Sequence, residues 1–202
     1  MLILASASPR RQELLRNAGF SFAVHPANVH EEPQPGEPAE QYVQRLAQEK
    51  AEAVGTELKR ERDSFVVLGA DTTVLVEGAM LEKPRDREDA KRMLRLLSGK
   101  NHQVITGVCL LVRQLPTQPW RSFVAVETTE VTFGELAEDE IESYVRTGEP
   151  LDKAGAYAIQ GIASRWIPRI QGCYFNVVGL PVSLVNRMLK EHAPHLLNIK
   201  NS

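Results

Sequence analysis

Cysteine is scarce: Cys109 and Cys173 are the only two in 202 residues, and they lie far apart among apolar or aromatic neighbours. Zinc sites and redox dithiols need closely spaced pairs, so both read as reduced core thiols. The five histidines, His25, His30, His102, His192 and His195, show no HExxH or similar spacing, which argues against a histidine-built transition-metal site. No apolar run approaches the ~20 residues of a membrane span. The run from Leu2 to Ala5 is too short for a signal-peptide core, and its arginines follow it rather than precede it. An excess of one charge is also missing, since 24 Lys+Arg against 26 Asp+Glu leave a formal net charge of −2. Bulk attraction to nucleic acid or to an anionic membrane is not expected, and any anion site must be local. A soluble cytoplasmic protein with neither nucleic-acid nor membrane partners is the simplest expectation.

Apolar content is ordinary at 43%, enough for one sizeable core and one domain over residues 1–202. "LILA" reads as a buried strand. "SPRRQELLRNAG" reads as a helix with Ser8 at the N-cap, Pro9 at the first position and Gly19 at the stop. "FSFAVHPA" is a second strand, and "NVHEEPQPGEP" an acidic loop punctuated by Pro and Gly. "AEQYVQRLAQEKAEAVG" has a helical period that Gly55 is expected to end, followed by a solvated connection, "ELKRERD". "SFVVLGADTTVLVEGAMLEKP" predicts a buried strand, a break over Gly69 to Thr72, and another strand. "DREDAKRMLRLLSG" is an amphipathic helix capped by Asp86 and stopped by Gly99. Two long strands flank the "RQLPTQPWR" turn as a wide hairpin. Then come a helix ("AEDEIESYVRTG"), a glycine-containing loop ("EPLDKAGAYAIQG"), short strands in "WIPRI" and "YFNVVG", and a last helix ("PVSLVNRMLKEH"). This mixture predicts an α/β or α+β fold with a mixed sheet.

Two stretches concentrate chemistry. The first strand feeds a small-residue turn and a helix start, where unpaired N–H groups and the helix dipole favour an anion. Ser6, Ser8, Arg10 and Arg11 crowd that spot. Two arginines there run against the dipole by a few tenths of a kcal/mol, roughly, so either an anion offsets them or they are simply solvated. In "LGADTTV" an apolar strand delivers Asp71 and Thr72. Asp71 is suited to activate water or bind Mg²⁺, unless it only closes an Asx-turn. Glu31, Glu32 and Lys50 offer further carboxylates and an amine, and Lys83 precedes a proline that keeps it extended. "DKAGAYAIQG" adds Lys153 and Gln160, whose amide could read a base edge. Several cations and carboxylates without a His or Cys nucleophile fit phosphate chemistry by metal-assisted water attack.

"LASASPRRQELL", "LGADTTV", "LEKP", "LSG", "DKAGAYAIQG" and "VVGLP", in that order, resemble the motifs of the Maf proteins, a family of nucleoside triphosphate pyrophosphatases. The resemblance covers nearly the whole chain. It implies an inosine-triphosphatase-like α/β fold, a mixed twisted sheet with flanking helices and a cleft between two lobes. It also implies a divalent metal, Mg²⁺ or Mn²⁺, and suggests a homodimer. Asp71 resembles the family's catalytic proton acceptor. Arg11, Glu32, Lys50 and Lys83 match motif positions that bind phosphates or metal, with Glu32 and Asp71 taken as the metal carboxylates. Lys153, Ser6 and Ser8 join the substrate-binding set. Arg10, Thr72 and Gln160 stand where branches of the family differ, and here they are similar to the dTTP/UTP branch. The branch acting on 7-methylguanosine triphosphate would show Trp, Gln and Glu at those three positions. Ala158 departs from the commoner glycine. The family link implies clearance of modified nucleotides and an effect on cell division. Two other readings stand beside it, the 7-methylguanosine branch and a nucleotide-binding regulator that does not hydrolyse its ligand.

Overall fold

A computed structural model of the chain describes residues 1–58, 65–113 and 118–197. The chain divides into two compact units, Met1–Asp71 with Thr106–Glu127 and Gly179–Ser202, and Thr72–Ile105 with Thr128–Val178. Strands follow the order β2-β1-β3-β5-β6-β7, with β4 on β3. They are β1 Leu2–Leu4, β2 Phe22–Val24, β3 Val66–Val76, β4 Ala79–Leu81, β5 Asn101–Val112, β6 Arg121–Thr132 and β7 Arg169–Gln171. Both parallel and antiparallel pairs occur, so the mixed α/β expectation holds. Most of "ELKRERD" and the tip of the "RQLPTQPWR" turn lie outside the described residues.

In the first unit β1 pairs in parallel with β2 and with β3, Leu2 standing opposite Phe22 and Val66. Parallel neighbours need crossovers, and helices supply them. Helix α1, Pro9–Asn17, starts at Ser8 as expected and buries Leu14 and Leu15. Helix α2, Ala39–Glu57, buries Tyr42, Val43, Leu46, Ala47, Lys50, Ala51 and Val54, a face of period 3.6. That face meets the sheet at unusually short range. A Cβ at Gly69 on β3 would stand 2.0 Å from the Ala47 carbonyl oxygen, and one at Gly107 on β5 would stand 2.2 Å from that of Val43. Both glycines are there because backbone approaches backbone.

Two expectations are corrected here. Gly55 does not end α2, which runs through it to Glu57. Its missing side chain makes room for Leu111, since a Cβ would come within 2.5 Å of the Leu111 side chain. Nor does β3 break at Gly69 to Thr72: it is continuous over eleven residues, and Asp71 and Thr72 lie inside the strand. The glycine that looked like punctuation is a contact point.

In the second unit β3 turns through Glu77 and Gly78, both at positive φ, into antiparallel β4. Helix α3, Arg87–Leu97, is capped by the Asp86 carboxylate, which accepts from the Asp89 N–H at 2.8 Å. Helix α3 and α4, Glu138–Arg146, bury Met93, Leu94, Ile141 and Tyr144 in a core shared with Val74, Val104, Phe133 and Tyr157. The segment over "EPLDKAGA" forms 3-10 turns, Glu149–Asp152 and Ala154–Ala156. "YFNVVG" is a helix, α5 (Tyr174–Val178), not a strand, and "WIPRI" contributes only the start of β7. Buried Asn176 bears on the difference: its amide donates to the Val104 carbonyl at 2.9 Å and to Thr129 Oγ1 at 3.0 Å, hydrogen bonds to residues distant in sequence that apolar patterning does not reveal. Helix α6, Val182–His192, belongs to the first unit. Cys109 is buried, but Cys173 is only half-buried and is not a core thiol, although its backbone is tied to the buried Thr129 Oγ1.

Gly107→Ala should lower stability by about 1–3 kcal/mol, the usual cost of forcing a methyl group into a packed site. Thermal unfolding would register that as a drop of several degrees. His102 gives a second test. Burial lowers its pKa to about 4, and Nε2 is 2.7 Å from the Tyr157 hydroxyl. The unfolded chain takes up a proton below about pH 6.5 that the folded chain refuses until about pH 4. Stability should therefore fall by up to about 3 kcal/mol as pH drops through that window. In His102→Asn the slope of unfolding free energy against pH should flatten there.

Candidate active site

At the start of α1 the Ser6 hydroxyl accepts from the Ser8 N–H at 3.2 Å, and Ser8 Oγ caps the helix by accepting from the Arg11 N–H at 3.5 Å. Arg11 turns inward. Its Nε donates to the Gly179 carbonyl at 2.8 Å, and Nη1 to the Ala70 carbonyl at 2.9 Å and to Ser6 Oγ at 3.3 Å. Burial lowers its pKa, while the charges of Asp71 and Glu31 oppose that shift. Arg10 is half-exposed on the same turn. No acidic residue occupies the first turn of α1.

Asp71 comes from β3 and is 5% exposed. Lys50, on the buried face of α2, donates from Nζ to Asp71 Oδ1 at 2.6 Å and lies 2.6 Å from Glu31 Oε1. One ammonium thus bridges two carboxylates. Arg45, also on α2, ties the acidic loop down: it donates to the Glu32 carbonyl at 3.0 Å and to both Glu37 oxygens at 2.7 Å. Burial raises the pKa of Asp71 above the ordinary carboxylate value, against the pull of Lys50 and Arg11, and Glu31 adds to the rise. A carboxylate destabilised in its charged form is a better proton acceptor than an exposed one.

Ser6, Arg11, Lys50 and Asp71 are thus brought together in the first unit. Glu32 is not among them, because its side chain is 73% exposed with the carboxylate 3.0 Å from His30 Nε2. Neighbouring residues of an extended loop point different ways, and Glu31 is the one that reaches Lys50. In the second unit Thr72 is half-buried, and Lys83 and Gln160 are exposed. Lys153 Nζ donates to the Glu149 carbonyl at 2.7 Å and to Asp152 Oδ1 at 2.5 Å. The Glu82 carbonyl accepts from the Gly155 N–H at 3.2 Å, which joins the Lys83 and Lys153 segments. Nothing in the sequence marks Glu149, since one acidic residue before a proline has no telling spacing.

Whether these residues suit a divalent metal can be judged from their atoms. Asp71 Oδ2 is buried and has no hydrogen-bond partner among the described residues. The nearby donors are carboxylate oxygens, as Mg²⁺ and Mn²⁺ prefer. Among the described residues no group of three or more His, Cys, Asp and Glu side chains could hold a metal by itself. The set therefore fits an ion that takes its remaining ligands from phosphate and water, as Mg²⁺ commonly does.

A family model described as Maf-like protein matches residues 1–192. The chain is 52% identical over 189 residues to a dTTP/UTP pyrophosphatase of Koribacter versatilis, which covers 94% of this chain and 93% of that protein. It is 49% identical over 191 residues to a protein of the same name from Bdellovibrio bacteriovorus, covering 94% and 97%. A third of that name, from Anaeromyxobacter dehalogenans, is 50% identical over 189 residues, covering 94% and 92%.

The raised pKa of Asp71 has a consequence for stability. The folded chain keeps a proton that the unfolded chain has released, so this side chain's contribution is fully present below about pH 3.8 and is lost as pH rises through the folded pKa. Asp71→Asn should accordingly be at least as stable as the parent at pH 8, the difference closing below about pH 4. Urea unfolding at the two pH values measures it, and a variant less stable at pH 8 would contradict the direction given.

Proposed function

The chain belongs to the Maf family, and from that membership we propose that it is a nucleoside triphosphate pyrophosphatase. It hydrolyses dTTP and UTP to the monophosphate and pyrophosphate. The observation that carries the chemistry is the buried Asp71 carboxylate, with Oδ1 held by Lys50 and Oδ2 unpaired among the described residues. Asp71 accepts the proton of the attacking water, and Lys50 fixes the carboxylate that receives it. Water attacks the α-phosphorus, and the bond to the bridging oxygen of the β-phosphate breaks.

Charge balance supports a divalent cation. Lys50 and Arg11 are already matched by Glu31 and Asp71, so a triphosphate brings negative charge that these four groups cannot neutralise. Mg²⁺ or Mn²⁺, held by Asp71 with Glu31 or Glu32, would draw charge from the phosphoryl oxygens. Lys83, Lys153 and Arg10 are assigned to the leaving pyrophosphate, and the turn of Ser6 and Ser8 at the start of α1 to an anionic phosphate. Thr72 and Gln160 are assigned to the pyrimidine edge, where an unmatched buried polar group costs about 1–3 kcal/mol. Arg10, Thr72 and Gln160 favour this substrate over 7-methylguanosine triphosphate.

Purified protein should release monophosphate and pyrophosphate from dTTP and UTP in the presence of Mg²⁺ or Mn²⁺, and EDTA should abolish turnover. Release of orthophosphate and a diphosphate would refute the bond assignment. Asp71→Asn should lose turnover by about 10²-fold or more while nucleotide binding persists. The triple change Arg10→Trp, Thr72→Gln and Gln160→Glu should move preference toward 7-methylguanosine triphosphate.

A further inference from the structure

Two candidate substrate residues of the second unit, Lys153 and Gln160, both depend on Glu149. Its main-chain carbonyl accepts from Lys153 Nζ at 2.7 Å. Its carboxylate accepts from the Ile162 N–H, 3.1 Å to Oε1 and 3.3 Å to Oε2, and from the Tyr144 hydroxyl at 2.8 Å. The same Tyr144 oxygen accepts from the Ala158 N–H at 3.2 Å. Tyr144 is buried in the core of the unit, with its ring edge-on to Trp166. The pair therefore grips the backbone two residues before and two residues after Gln160. Gly161 completes the grip, because a Cβ there would stand 2.2 Å from Glu149 Oε1.

A long exposed side chain such as Gln160 has no fixed direction of its own, and rotamer freedom weakens whatever it recognises. Fixing its backbone from below restores a direction. The fixing groups are well suited to it. A carboxylate is a stronger acceptor for N–H than a neutral oxygen, and a core tyrosine cannot shift without disturbing its packing.

We propose that Glu149 and Tyr144 are positioning residues for base selection, a half-buried acid on a core phenol that together aim Gln160 at the nucleobase. The phosphate end is served separately, through the Glu149 main-chain carbonyl on Lys153. This rests on the reading of Gln160 as a base reader given above.

The division of labour is testable, since side-chain changes at these positions leave the main-chain carbonyl in place. The ratio of kcat/KM for dTTP to that for GTP should fall about tenfold in Glu149→Ala, Tyr144→Phe and Gly161→Ala, through KM for dTTP. Glu149→Gln should stay within about threefold of the parent, because one amide oxygen at the Oε1 position can accept from both Tyr144 and Ile162. Inhibition by pyrophosphate should change less than about twofold in all four. Equal losses for dTTP and GTP, accompanied by a lower Tm, would reduce the pair to loop support and overturn the proposal. So would an unchanged ratio in variants whose partner Gln160→Ala does shift it. If Gln160→Ala leaves the ratio untouched, base reading by Gln160 is wrong, and the positioning role falls with it.

Discussion

The contact between helix α2 and the strands beneath it sets the terms for the catalytic chemistry. Gly69 and Gly107 let the backbone of α2 come down onto β3 and β5, and that short distance carries Lys50 far enough in to meet Asp71 on the same strand as Gly69. With side chains at either glycine the helix would ride higher, and an ammonium 2.6 Å from a buried carboxylate would not result. Packing and chemistry are thus one constraint, since the residues that fit the helix to the sheet decide which charges touch.

Those charges are arranged to be incomplete. Two cations and two carboxylates meet there, and burial works against two of the four, raising the pKa of Asp71 and lowering that of Arg11. Replacing such a group by apolar residues often stabilises a protein, so their retention is better explained by work than by folding. Arg11 illustrates the double duty: its guanidinium joins the Ala70 and Gly179 carbonyls to Ser6 while lending charge beside Asp71.

Much of this was legible in the sequence, for reasons that can be named. Ser8-Pro9 and Asp86 announce helix starts because capping is local chemistry, and both helices begin there. "LGADTTV" announces a carboxylate on an apolar strand, and Asp71 is one. What failed was read from residue type alone. Gly69 and Gly55 looked like stops because glycine usually punctuates, yet here each answers a neighbour distant in sequence, Ala47 for one and Leu111 for the other. Glu32 and Glu31 are chemically identical, and only the path of the loop decides which reaches Lys50. The segment from Tyr174 to Val178 has strand-like composition but is helical, with Asn176 spending its amide on Val104 and Thr129.

Arg45 has a consequence for how such loops can diverge. By gripping the Glu32 carbonyl and the Glu37 carboxylate it clamps the acidic loop at both shoulders, onto the same helix that carries Lys50. Between the clamps, Pro33 to Gly36 form an exposed tip with Gly36 at positive φ. Length and composition at that tip are insulated from the placement of Glu31. A single arginine thus divides the exposed tip from the segment that delivers the Glu31 carboxylate to Lys50.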